Sequence, residues 1–308
     1  MNNLLKSVKK PLWTLFLGLG LWACQDASET LTSEQAVVQS TTTVRDHAII
    51  VAETQGAMEI TADIFDNEGF TDGRASSSGR IEGGDHHHHD DAGCRPSISG
   101  SFNLDRSHED SLIYTGTLVI DYGDGENCDS EHVRKGKITD AFTFILTWGD
   151  SVTFTSTETI TFEGFVRDSV QLDGTFTVTK VNRESKKVEI QDAKITYPDG
   201  TSVSWSGELN FTYERGEGCR WKDNTIHLSG SISGTNRDGV AFSFVTTEDL
   251  VFKYGCNKHH KFRPVSGVVE VTIGGILTTV DFGDGTCDNS FTVTTNGETT
   301  EHEFDGHS

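Results

Sequence analysis

From residue 96 onward the chain alternates short apolar–polar runs with turn signals, and that rhythm limits what it can become. Thr175-Phe176-Thr177-Val178-Thr179 places Phe176 and Val178 on one face of a strand and threonines on the other. Val203, Trp205, Leu209, Phe211 and Tyr213 also keep one parity, the period of two expected of a strand with one buried face. Pro198-Asp199-Gly200, Arg237-Asp238-Gly239 and Gly274-Gly275 punctuate these runs as turns. Strands joined so briefly pair antiparallel, because a parallel crossover needs about a dozen residues or more. The expected fold is mainly β, an antiparallel meander forming a sandwich or a long curled sheet.

A repeated element divides this region. Its first copy opens at Cys94-Arg95-Pro96, passes Ser99-Gly100, and ends in Asp121-Tyr122-Gly123-Asp124-Gly125 followed by Cys128-Asp129. Its second opens at Cys256, continues through Arg263-Pro264 and Ser266-Gly267, and ends in Asp281-Phe282-Gly283-Asp284-Gly285 followed by Cys287-Asp288. A fragment, Ser231 to Gly234 after Cys219, reads as a degenerate third copy. The repeat suggests two modules, 94–180 and 181–308. It also predicts the disulfides Cys94–Cys128 and Cys256–Cys287, with Cys219 unpaired; the competing pairing is Cys219–Cys256.

The amino-terminal 23 residues carry a different signal. Lys6, Lys9 and Lys10 precede an uncharged run from Pro11 to Trp22, and Leu21-Trp22-Ala23-Cys24 sets a small residue before a cysteine. The run is shorter than the ~17–25 residues that span a bilayer, so it reads as a signal peptide over 1–23. The segment resembles a lipobox, which implies that Cys24 carries the lipid and becomes the mature amino terminus. An exported chain meets an oxidising compartment, consistent with disulfides among the remaining cysteines.

Residues 24–45 are polar and acidic and read as a flexible tether. The segment 46–93 is expected to hold a short helix over 46–66, with Asp46 as a candidate cap and Ile50, Ala57, Met58, Ile64 and Phe65 at helical spacing. A Gly- and His-rich loop follows. In it His86, His87, His88 and His89 offer donors for a transition metal, or a polar tract without a ligand.

The Asp-aromatic-Gly-Asp-Gly elements also have two readings. Asp121, Asp124 and Asp129, and likewise Asp281, Asp284 and Asp288, could converge on calcium, which takes six to eight oxygens. Alternatively the glycines supply positive φ at hairpin turns and the aspartates accept hydrogen bonds from nearby amides. The second reading is preferred, so the expected cofactor is none, with calcium or a transition metal as the alternative.

The D-[FY]-G-D-G-x-C-D element, with the Asn296-Gly297 turn beyond it, resembles a group of β-rich lipoproteins from Bacteroidota-type bacteria. The resemblance covers most of 94–308 and implies a lipidated, exported envelope protein; it brings no activity with it. Gln25, Asp26 and Glu29 loosely resemble the acidic signals that direct such lipoproteins to the cell surface.

Charge excludes some partners. The chain holds 25 basic and 47 acidic residues, and removing Lys6, Lys9 and Lys10 with the signal peptide leaves 22 against 47, a formal charge of −25. That opposes nucleic acid and anionic lipid surfaces. Hydrolase signatures such as Gly-x-Ser-x-Gly and His-Glu-x-x-His are absent from the sequence. Trp205 is in phase with core residues, whereas Trp148 and Trp221 sit at turn-like positions and are candidates for exposed glycan contact. The expectation is a non-enzymatic, lipid-anchored envelope or surface protein acting as a structural or interaction module. A divalent-cation-dependent binding module and a carbohydrate-binding or carbohydrate-active protein are the alternatives, and the protein or glycan partner is unspecified.

Overall fold

A computed structural model describes residues 78–82, 94, 96–125, 133–167, 169–182, 184–216, 224–256, 263–288 and 290–304. It also describes Thr42, Asp46, Ile50, Val51, Thr54, Gly56, Met58, Ile60, Thr61, Ala62, Ile64 and Phe65. The strands are β1 (Ser78–Glu82), β2 (Ser97–Asp105), β3 (Ser111–Asp121), β4 (Arg134–Trp148), β5 (Val152–Arg167), β6 (Val170–Val181) and β7 (Ser185–Thr196). They continue as β8 (Ser202–Glu214), β9 (Thr225–Thr235), β10 (Ala241–Lys253), β11 (Ser266–Ile273), β12 (Ile276–Asp284), β13 (Ser290–Thr295) and β14 (Glu298–Glu303).

These fourteen strands form one sheet in sequence order, and every neighbouring pair is antiparallel. The mainly-β meander expected from the turn signals is therefore the fold, as one long curled sheet. The boundary drawn at 180/181 falls between the last two residues of β6, which pairs with β7 in the same sheet.

Burial follows the predicted phase. Phe176 and Val178 on β6, and Val203, Trp205, Leu209 and Phe211 on β8, all face the core. The opposite face carries threonine ranks that cross strands in register, such as Thr139–Thr161–Thr175 and Thr143–Thr157–Thr179. β-Branched polar residues suit a pleated surface that meets water on one side.

The sheet curls where the ladder slips. Register shifts occur between Lys135 and Lys137 on β4, Phe162 and Phe165 on β5, Asp173 and Thr175 on β6, and Ile190 and Ala193 on β7. Irregularities in adjacent strands bend the sheet along one line, as bulges do. Two glycines make this possible. Gly136 has φ 79°, and a Cβ there would stand 2.1 Å from the Gly164 carbonyl oxygen; Gly174 has φ 129°, and its Cβ would stand 2.6 Å from the Ala193 Cα. Side chains hold the bent backbone: Asp173 Oδ1 accepts from the Gly164 amide at 2.7 Å, and Ser206 Oγ from the Asp192 amide at 3.0 Å.

The described residues between 42 and 65 are all helical, and we call them α1. Thr42 already being helical, Asp46 lies inside the helix and is not its cap. Ile50, Val51, Met58, Ile64 and Phe65 are buried in the same hydrophobic cluster as the inner face of the sheet. Phe65 packs edge-on against Phe142 and Phe144 of β4, with ring centroids 4.7 and 4.8 Å apart. Gly56 lies against the Arg167 guanidinium at the end of β5. Asp46 meets the turns after β7 and β9.

Cys256 is bonded to Cys287, with Cα atoms 5.4 Å apart across a separation of 31 residues, as the repeat predicted. Closing a loop of that length contributes about 3–4 kcal/mol on the chain-entropy account. Cys94 is fully buried and disulfide-bonded; its expected partner Cys128 lies outside the described residues, as do Cys24 and Cys219. Among the described residues no helix is long and apolar enough to cross a membrane.

Candidate functional site: a rim cleft above a buried charge cluster

The Asp-aromatic-Gly-Asp-Gly elements form the tips of the β3 and β12 strands. Gly123, Gly125, Gly283 and Gly285 have φ of 59°, 88°, 91° and 95°, the left-handed conformation expected of turn glycines. The two copies repeat one hydrogen bond: Asp121 Oδ1 accepts from the Gly123 amide, and Asp281 Oδ1 from the Gly283 amide, both at 2.8 Å. Asp284 accepts from the Thr286 amide at 3.1 Å. Asp288 accepts from the Ser290 amide and the Thr286 hydroxyl at 3.1 and 2.8 Å, and these bonds hold its carboxyl below the usual carboxylate range. Asp124 is exposed at its tip. These bonds to amides two residues on are those of Asx turns, the structural reading of the aspartates. Among the described residues no three His, Cys, Asp or Glu side chains are grouped to hold a metal ion. Asp129 and His86, His87, His88 and His89 lie outside the described residues.

The structure brings together a second set of groups. On β4 the inward positions run Ile138, Asp140, Phe142, Phe144; on β5 they run Ser156, Glu158, Ile160, Phe162. Two carboxylates thus occupy apolar phases on adjacent strands, Asp140 fully buried and Glu158 1 % exposed. Glu158 is well served: Ser156 Oγ donates to Oε1 at 2.9 Å, and Lys180 Nζ from β6 lies 2.9 Å from Oε1 and 3.2 Å from Oε2. Among the described residues neither oxygen of Asp140 has a hydrogen-bond partner. Burial, and secondarily the negative charge of Glu158, push its carboxyl well above the usual range, against the pull of Lys180.

Lys180 is opposite Lys186 of β7 in the ladder. Lys186 is held apart by aromatic faces, its Nζ standing 4.5 Å from the Phe211 ring centre and 5.8 Å from that of Tyr213, a favourable quadrupole interaction. Tyr213 in turn lines a cleft of about 780 Å³ at the rim of the sheet, a volume within the ~300–1,000 Å³ of ligand sites. This rim is opposite the one where α1 meets Tyr197 and Arg237. The cleft is assembled from the start of β5, the β6–β7 turn, the β8 end, the β9 start and Tyr254 after β10.

Its walls carry binding chemistry. Tyr213 and Tyr254 supply aromatic surface; Asn182, Asn224, Glu184 and Arg215 supply planar hydrogen-bonding groups. The Tyr254 amide donates to the Asn224 carbonyl at 3.2 Å, and the Tyr213 amide to the Glu184 carbonyl at 2.8 Å. Tyr254 is two residues from the disulfide at Cys256, so this wall is covalently braced.

Sequence reading missed both groups. The buried cluster had a readable sign, since Asp140 and Glu158 interrupt apolar phases. The cleft had none, because its residues come from five separate strand ends. Trp205 is core as expected, at 2 % exposed, and Trp148 is exposed at 40 %; Trp221 lies outside the described residues. No family model, no curated protein and no solved structure matches this chain.

Proposed function

We propose that this chain is a lipid-anchored, non-enzymatic envelope protein, carried on the outer membrane and displayed at the cell surface, whose β body acts as an interaction module. The observation that carries the interaction reading is the convergence of Tyr213, Tyr254, Asn182, Asn224, Glu184 and Arg215 on one accessible cleft. Two of the buried carboxylates elsewhere are engaged in internal pairs, Glu158 with Lys180 and Asp46 with Arg237. Anchoring is supported by Lys6, Lys9, Lys10 and the Leu21-Trp22-Ala23-Cys24 segment, with the diacyl modification giving the two-chain attachment that stable membrane residence requires.

Metabolic labelling with a palmitate analogue tests the anchor. The wild type takes the label and partitions into detergent; Cys24→Ser loses both properties. Equal labelling of the two proteins would end the lipoprotein reading. Protease treatment of intact cells then separates surface display from a periplasm-facing attachment.

A further inference from the structure

We infer that the rim cleft is a saccharide-binding site whose ligand is a neutral oligosaccharide. This deepens the interaction half of the reading above and is independent of the lipid anchor.

A sugar ring presents apolar C–H faces bordered by hydroxyls that both donate and accept. Its site needs aromatic surface beside planar polar side chains, and the cleft has both. Tyr213 and Tyr254 come from different strand ends and are each half-buried; tyrosine offers an apolar face with a polar tip. A lipid would call for a continuous apolar lining, which the interleaved Asn, Glu and Arg side chains do not provide.

The polar groups are oriented before any ligand arrives. Asn182 Oδ1 accepts from the Phe154 amide at 3.1 Å, and Asn224 Oδ1 accepts from the Gly216 amide at 3.1 Å. Each asparagine is thereby fixed through its oxygen and keeps its amide hydrogens for a ligand hydroxyl. Glu184 adds an acceptor and Arg215 a fork of donors, both exposed at the cleft. Groups held in place in the free protein lose less freedom on binding. The braced position of Tyr254, through Asn224 and the Cys256–Cys287 disulfide, serves the same end.

Charge selects among sugars. The chain has a formal net charge of −22, and its field repels uronate- or phosphate-bearing polymers. A neutral glycan meets no such barrier.

The test uses the full chain in detergent micelles on an array of neutral oligosaccharides of glucose, galactose, mannose and N-acetylglucosamine, with uronate-bearing counterparts alongside. Titration calorimetry follows with the strongest neutral binder. Neutral oligosaccharides bind, and Tyr254→Ala and Arg215→Ala each weaken binding by about tenfold, a loss typical of a removed stacking or charged hydrogen-bonding partner. Arg215 is exposed, so its variant keeps the melting temperature even if Tyr254→Ala does not. Leu277→Ser, at the opposite rim, leaves binding unchanged. Absence of neutral-glycan binding, preference for the uronate series, or indifference to both cleft variants would overturn the inference. Palmitate labelling reads the anchor separately, so failure of one claim is distinguishable from failure of the other.

Discussion

Asp46 and Asp140 are both buried carboxylates, 2 % and 0 % exposed, yet their surroundings differ. Asp46, on α1, receives Arg237 Nη2 at 2.7 Å, while the Arg237 guanidinium lies over the Tyr197 ring at 3.5 Å from its centre. Tyr197 Oη donates to the same oxygen at 3.5 Å. Two hairpin turns thus grip one helix. Asp140, on β4, feels the charges of Glu158 on β5 and of Lys180 on β6 and, among the described residues, accepts no hydrogen bond. Burial raises both carboxyls above the usual range. For Asp46, Arg237 opposes that rise; for Asp140, Glu158 adds to it. Burying a charge is costly in either place, and the difference lies in whether a partner of opposite sign shares the site.

The largest effect is expected from removing the cation beside the β4–β5 pair. Lys180→Met leaves Glu158 without its ammonium next to an already unpartnered Asp140, and should cost about 3–4 kcal/mol of stability. Urea unfolding at pH 7 measures it; a loss below 1 kcal/mol would show that water reaches the cluster and that the contrast with Asp46 is overstated.

At the clamp, Arg237→Ala strips Asp46 of its partner and Tyr197 of its stacked cation. The expected loss is about 2–3 kcal/mol, smaller because the Arg237 side chain is 30 % exposed. The Tyr197 hydroxyl, pushed up to about 12 by burial and by the Asp46 carboxylate, provides an independent readout. Ultraviolet titration of Asp46→Asn should bring it back toward 10.

Asp140→Leu should act in the opposite direction and stabilise the protein at pH 7, by about 1–2 kcal/mol. The pH dependence has a definite sign. The folded-state pKa of Asp140 is raised, so the folded protein binds its proton more tightly than the unfolded chain does. Its stabilising contribution is complete below the ordinary aspartate range and is lost as pH rises through the raised folded value. The stability gap between Asp140→Leu and the wild type should therefore narrow as pH falls from 7 toward 4. A constant gap across that range would mean that Asp140 is not the titrating group.

The smallest effect concerns the exposed turn aspartates, which accept hydrogen bonds at no burial cost. Millimolar calcium should shift the melting curve by less than about 2 °C relative to EDTA. A site occupied at a hundred times its dissociation constant would instead add about 2.7 kcal/mol, or roughly 5–10 °C. A shift of that size, lost in Asp124→Asn/Asp284→Asn, would make the tips cation sites.

Much of the fold was legible in order, and little of the site. The parity of Phe176, Val178, Trp205 and Phe211 was readable because a strand writes its two faces into alternate residues. The turn glycines and the Cys256–Cys287 bridge were readable because a repeat shows the same local solution twice. The helix was visible as a periodicity between Ile50 and Phe65, but not its seat against Phe142, nor the role of Asp46, which reads locally as a cap. That aspartate serves α1 through Arg237, a residue 191 positions away.

The sequence by itself determined that this chain is an antiparallel meander with one apolar face, glycine turns and a braced second repeat, since each of these follows from near neighbours along the chain. Only the tertiary structure decided which ends of β5, β6, β8, β9 and β10 would enclose a cleft, and which carboxylate would find a cation. Those outcomes depend on how far the sheet curls at its line of register shifts, and curl is a sum over many strands that no single segment encodes.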